Sequence, residues 1–174
     1  PARIAVPAGF SLPRIATGLW QIADMERDGR VIDADSAAAA MLAYAKAGFD
    51  AFDMADHYGS AEIITGRLLK RHAGSIRPPV AFTKWCPEPG PMTRDIVRRG
   101  VQQRLDRLGV ASVDLLQFHW WTFEHPAWLD ALHEMKAMQE EGLIRAIGVT
   151  NFDAAHLALA LADGIPVATN QVSF

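Results

Sequence analysis

The sequence predicts an α/β chain with a parallel strand-and-helix repeat, and three observations carry that reading. Short apolar or β-branched runs alternate with helical stretches of about ten residues or more. The unit recurs roughly every thirty residues, the size of a βαβ element, which implies parallel pairing through right-handed crossovers. No G-x-G turn follows any strand, so an open dinucleotide-binding sheet would lack its phosphate loop. The architecture that answers to all three is a (β/α)8 TIM-type barrel with an N-terminal β-hairpin.

Each element has its own signal. Arg3–Val6 and Leu12–Ile15 flank Pro7, Ala8 and Gly9 and read as a hairpin closing one barrel end. Strand-like runs follow at Ile15–Trp20, Phe49–Met54, Val80–Lys84, Val113–His119, Ala146–Val149 and Val167–Gln171. Between them, Asp35 or Ser36 can N-cap an alanine-rich helix that ends at Gly48. Ser60 can cap Ala61–His72, with Gly74 as its stop, and Thr93 opens a helix through Leu108 that closes on Gly109. Pro126 fits the first turn of a helix ending at Gly142. Asp153 or Asn151 opens the last helix, which stops at Gly164. A closed barrel takes eight such units and typically about 250 residues, whereas this chain supplies about six. The expectation is therefore that residues 1–174 form a single, incomplete barrel domain of a longer chain: there is no initiator methionine, and the last stretch, Val167–Phe174, is still strand-like.

Composition narrows the function classes. Half of the 174 residues are apolar and 21% are charged, with a formal net charge of −3. The densest basic cluster, Arg67, Lys70, Arg71 and His72, is short and lacks interleaved aromatics, which argues against a nucleic-acid partner. The longest apolar run, Ala37 to Ala45, is about half of a membrane span, and the opening residues are not expected to act as a secretory leader. Cys86 is the single cysteine, so there is no internal disulfide framework. A cytoplasmic protein is the expectation.

The candidate chemistry lies at the strand ends, because the C-terminal ends of barrel strands open on one face. Asp53 and Tyr58 follow the second run, Lys84 ends the third and His119 the fourth. Neighbouring strands lie about 5 Å apart, so these side chains can meet. A free phenol is a poor acid near neutrality, and an adjacent ammonium would lower its pKa. The set thus reads as Tyr58 the proton donor, Lys84 its tuner, Asp53 the counter-ion of Lys84, and His119 the orienter of a substrate carbonyl. Singly, each is more often a rim salt bridge or a packed side chain; jointly, they point to a site. Trp20, Trp85, Trp120 and Trp121 follow strands and would wall an apolar pocket. His57 reads as structural or rim-lining, and His72, His125, His133 and His156 fall in helices or loops. No metal is expected, since no His-x-His pair, His-Glu-x-x-His or carboxylate cluster occurs, and no Gly-x-Ser-x-Gly elbow suggests acyl transfer.

These residues resemble the aldo-keto reductase family over essentially the whole chain. The stretch from Gly48 to Glu62 looks like its aspartate-to-tyrosine signature, Thr83-Lys84 like its lysine, and Asp114 to Trp120 like its histidine strand. Gly142 to Phe152 is similar to a further signature. The resemblance implies reduction of small aldehydes or ketones by hydride from NADPH, with NAD not excluded. It implies nicotinamide carboxamide contacts from Thr150, Asn151 and Gln171, and cofactor contacts near Gly18, Leu19 and Asp53. The family's last two βα units, which grip the cofactor phosphates, have no counterpart here. Two other readings stay open: a Schiff-base aldolase using Lys84, and a regulatory or binding subunit that keeps the fold with little turnover.

Overall fold

A period of two along each strand sorts the side chains of this protein into two apolar layers. The computed structural model describes residues 2–6, 9–72 and 77–173. In chain order the elements are β1 (Arg3–Val6), β2 (Phe10–Pro13), β3 (Thr17–Gly18), α1 (Trp20–Arg27), α2 (Ala34–Lys46), β4 (Ala51–Asp53) and α3 (Ala61–Arg71). There follow β5 (Val80–Trp85), α4 (Arg94–Leu108), β6 (Val113–His119), α5 (Trp128–Glu140), β7 (Ile144–Thr150), α6 (Ala154–Ala162) and β8 (Val167–Gln171). Strands β3 to β8 form one six-stranded sheet in sequence order, and every neighbouring pair is parallel.

The outer layer packs Phe52, Ala81, Trp85, Leu116, Phe118 and Val149 against the helices. The inner layer is smaller: Ala51, Val80, Phe82, Leu115 and Ala146 meet Val6 of the hairpin, with Phe10 and Leu12 beside them. The β1–β2 hairpin thus closes the N-terminal end of a half-barrel. Arg3 fastens it there, its guanidinium 2.8 Å from the buried Asp50 carboxylate at the foot of β4.

Several boundaries differ from expectation for local physical reasons. Ile15–Trp20 reads as one strand, but only Thr17 and Gly18 pair with β4, and Trp20 opens the unanticipated helix α1. Helix α2 starts earlier than expected because Asp33, not Asp35 or Ser36, caps it: its Oδ2 accepts from the Ser36 N–H at 2.9 Å. Ser60 precedes α3 as anticipated without capping it; its N–H and hydroxyl both bond Glu26 of α1. Asp153 rather than Asn151 caps α6, through the His156 N–H at 2.8 Å. The second hairpin strand is Phe10–Pro13 and not Leu12–Ile15. Gly109 ends α4 in the left-handed conformation, φ 65°, that a residue without Cβ adopts freely. Gly74, Pro7, Ala8 and Phe174 lie outside the described residues. Among the described residues no helix is long and apolar enough to cross a membrane.

Candidate active site

Strand alternation delivers the polar residues. Asp53 lies two residues beyond inner-layer Ala51, Lys84 two beyond Phe82, and Gln117 and His119 two and four beyond Leu115. Thr150 lies four beyond Ala146. All therefore extend the inner face toward the C-terminal strand ends, where a cavity of about 320 Å³ opens. Asp53, Tyr58, Lys84, His119, Thr150 and Gln171 line it, together with His57, Asn151 and Trp121. A larger groove of about 1010 Å³ runs on the outer surface beside α3 and α4, lined by Ile63, Arg67 and Leu69 and away from these strand ends.

Lys84 is buried, and its ammonium has three acceptors: Asp53 Oδ1 at 2.8 Å, Asp53 Oδ2 at 2.9 Å and the Met54 carbonyl at 3.2 Å. Asp53 also accepts from Gln117 Nε2 at 3.2 Å and Gln171 Nε2 at 3.3 Å. A buried ion pair holds only when its remaining polar atoms are satisfied, and these amides supply the missing donors.

Tyr58 sits on the short loop after β4. Asp56 N–H donates to the Lys84 carbonyl at 3.0 Å, and Asp56 Oδ2 accepts from the Cys86 N–H at 2.8 Å, so the loop is stitched to β5. The Tyr58 ring meets Trp20 and His57 edge-to-face at 4.9 and 5.0 Å, and the Lys84 ammonium lies 5.4 Å from its centroid. Burial, and then the Asp53 charge, raise the phenol's pKa above its ordinary value. This reverses the expectation that Lys84 lowers it: the ammonium faces Asp53 and is neutralised there, leaving desolvation to dominate. His119 shifts the other way, its pKa lowered by burial and then by His57 and Lys84, which favours the neutral imidazole.

The tryptophans divide. Trp121 stacks obliquely on His119 at 4.3 Å and lines the cavity, and Trp20 packs on Tyr58 from α1. Trp85 and Trp120 do not wall the pocket. Each lies one residue past an inner-facing side chain, so the period of two turns it outward: Trp85 packs against Gly100 of α4, and Trp120 stacks on Phe118. Gly18 is exposed beside Asp53, whereas the Leu19 side chain is buried in the outer layer and its N–H bonds the Asp53 carbonyl at 2.9 Å. Gln117 is the contact that motif reading missed. A polar residue two positions before His119, on the same face of the strand and next to the apolar pair Leu115-Leu116, was the available signal.

Asp56, His57 and Cys86 bring a carboxylate, an imidazole and a thiol within 4.8 Å of one another. They read as a hydrogen-bonded anchor for the Tyr58 loop. The Arg104 guanidinium already lies 3.5 Å from Asp56, and burial and then Asp56 raise the Cys86 pKa, favouring the thiol over the metal-binding thiolate.

Thr150 Oγ1 and Gln171 Oε1 are buried without a hydrogen-bond partner in the protein. A ligand carboxamide has the matching groups, an N–H pair for Gln171 Oε1 and a carbonyl for the Thr150 hydroxyl. Asn151 takes the left-handed region at φ 56°, and its side-chain carbonyl is engaged by the Ser173 N–H at 3.1 Å.

The aldo/keto reductase family profile matches residues 14–174. The chain belongs to the aldo/keto reductase family. An aldo-keto reductase of Mycobacterium sp. (strain JLS) is 33% identical over 171 residues, which cover 97% of this chain and 57% of the relative. The methylglyoxal reductase DkgA of Salmonella typhimurium is 28% identical over 174 residues, 99% of this chain and 58% of its own. The structure of a Bombyx mori aldo-keto reductase in complex with NADP superposes with a TM-score of 0.78 at 22% identity, over 99% of this chain and 58% of that one, a likeness of fold. This aldo/keto reductase chain therefore spans somewhat over half the length of the curated relatives it matches.

Proposed function

We propose that this chain carries the catalytic half of an NADPH-dependent reductase of small aldehydes and ketones. In this reading residues 1–174 form one domain, the larger part of an eight-unit barrel. The observation that carries the proposal is the buried Asp53–Lys84 pair set beside Tyr58 and His119 in one cavity at the strand ends.

Thr150 and Gln171 would hold the nicotinamide carboxamide, and when bound the reduced ring supplies the hydride. Tyr58 donates a hydrogen bond to the substrate carbonyl oxygen. As that oxygen becomes an alkoxide, it is more basic than the phenolate and takes the Tyr58 proton. A phenol whose pKa is raised stays protonated across neutral pH, so the donor is always loaded. Neutral His119 orients the carbonyl from the other side, and Trp20 and Trp121 exclude water at the mouth. Lys84 with Asp53 fixes the floor beneath Tyr58 without exposing a free charge. The same contacts weigh against an aldolase, whose lysine must attack as a free amine, because all three Lys84 donors are committed. An intact, desolvated set of ionisable groups likewise weighs against a turnover-free binding subunit.

Substrate range follows from the similarity to the methylglyoxal reductase and from a cavity suited to a small molecule. The test is NADPH oxidation by the purified full-length protein that contains this chain, with methylglyoxal and other small aldehydes, followed by absorbance. Tyr58→Phe is expected to lower kcat by about 10²- to 10⁴-fold with KM little changed. Near-normal turnover by that variant removes Tyr58 as the acid, and the absence of aldehyde-dependent oxidation by the unmodified protein removes the reading itself. NADH in place of NADPH measures cofactor preference.

A further inference from the structure

Asp53 is shared by three donors, and two of them differ in how they are held. Gln117 is 2% exposed and stands in register between Lys84 on β5 and Gly148 on β7. Gln171 ends β8 at the partly exposed rim, and its Oε1 has no partner in the protein. The space for Gln117 depends on its neighbour. A Cβ on Gly148 would lie 3.0 Å from Gln117 Cγ and collide with Thr169 Oγ1.

We propose that Gln117 is a positioning residue that holds the Asp53 carboxylate against Lys84 and leaves Gln171 free to engage a ligand in the cavity. This rests on the proposed reductase reading only for what Lys84 serves. A neutral amide is the side chain the place requires. A second cation would unbalance the Asp53–Lys84 pair, and an aliphatic residue would leave a largely desolvated carboxylate with one donor fewer. Gln171 Oε1 is open to a carboxamide N–H, and should its long 3.3 Å contact to Asp53 yield as a ligand binds, the 3.2 Å bond from the buried Gln117 is the amide contact that persists. Register makes the arrangement rigid, because Gln117 is fixed by ladders to strands on both sides.

The experiment compares the unmodified protein with Gln117→Met, similar in size and without a donor, and with Gln117→Glu. In aldehyde reduction Gln117→Met is expected to lower kcat about 10-fold with the KM for NADPH unchanged. Gln117→Glu is expected to be impaired at neutral pH and to recover as the pH falls, when its carboxyl gains a proton and again donates to Asp53; Gln117→Met shows no such recovery. A second readout does not need turnover. In reductive methylation with labelled formaldehyde, Lys84 should react several-fold faster in Gln117→Met, with Lys46, Lys70 and Lys136 as unchanged references. A purely structural role would move all lysines or none. Unchanged kcat together with unchanged Lys84 labelling overturns the proposal, as does a Gln117→Glu variant whose activity does not rise on acidification. Faster Lys84 labelling in a protein that fails to oxidise NADPH upholds the positioning role and sinks the reductase reading.

Discussion

Tyr58 shows how one side chain answers to several neighbours at once. Its pKa rises because burial penalises the phenolate and Asp53 repels it, while Lys84 spends its charge on Asp53. Replacing Asp53 by Asn removes the repulsion and releases the Lys84 charge toward the ring, and both effects favour the phenolate. Ultraviolet difference titration in a Tyr44→Phe background, where Tyr58 alone reports, should therefore show Tyr58 ionising at lower pH in Asp53→Asn than in its parent. An equal or higher midpoint would mean that Asp53 does not set the phenol. The linkage follows the same sign. A raised folded-state value stabilises the protein below the ordinary tyrosine range, and that contribution is lost as pH rises through the folded value. Motif reading singled out Asp53, Lys84 and His119 because each ends a recognisable run, and Tyr58 because it follows one. It misjudged the direction of the Tyr58 shift because a pKa depends on which charge faces which.

Among the elements, α3 and α4 are joined to β5 through a single acid. Glu62 is fully buried and accepts from Arg104 Nε at 2.9 Å, Arg107 Nε at 2.7 Å and the Thr83 hydroxyl at 2.6 Å. Removing the charge of one partner from a buried network is strongly destabilising, because the other is left without compensation. Glu62→Gln is expected to cost about 3 kcal/mol, near the lower end for such a change because Asp56 still lies 3.5 Å from Arg104. Urea denaturation of the variant beside its parent measures this, and a change in stability within error would show that Arg104 finds another partner. Element reading from sequence succeeded for β6 and β8, each of which follows a helix stopped by a glycine, Gly109 and Gly164. It missed α1, whose Leu19-Trp20 start is as compatible with a strand as with a helix and whose Glu26 contact to Ser60 spans a gap no local pattern reports.

Across the whole molecule, the hairpin and the strand ends are opposite faces of the same inner layer. Val6, Phe10 and Leu12 cover the base, and the same strands carry Asp53, Lys84 and Gln117 at the top. Arg3 is the fastening, donating to Asp50 at 2.8 and 3.0 Å and to the Ser11 carbonyl at 2.7 Å. Arg3→Met leaves Asp50 as a buried, unpaired acid and should destabilise the domain by about 3 kcal/mol or more. Since the hairpin packs on the common inner layer, the loss should appear as a lower Tm of the cooperative transition. Separate early release of the hairpin, seen as proteolysis at the base with Tm unchanged, would contradict that coupling.

The alternation of strands and helices, the parallel order of the sheet and the ionisable residues at its strand ends were all legible in the amino-acid sequence. They rest on local patterns, caps and spacing, which a linear chain displays in full. Tertiary structure decided which way each of those residues faces and what it meets. Trp85 and Trp120 turn outward because each stands one step from an inner-facing neighbour, and Leu19 is drawn into the outer layer. Gln117 joins Asp53 across β5 through a space that Gly148 keeps open on the next strand. Such facts belong to strand register and to charges brought together from distant parts of the chain, and only folding places them side by side.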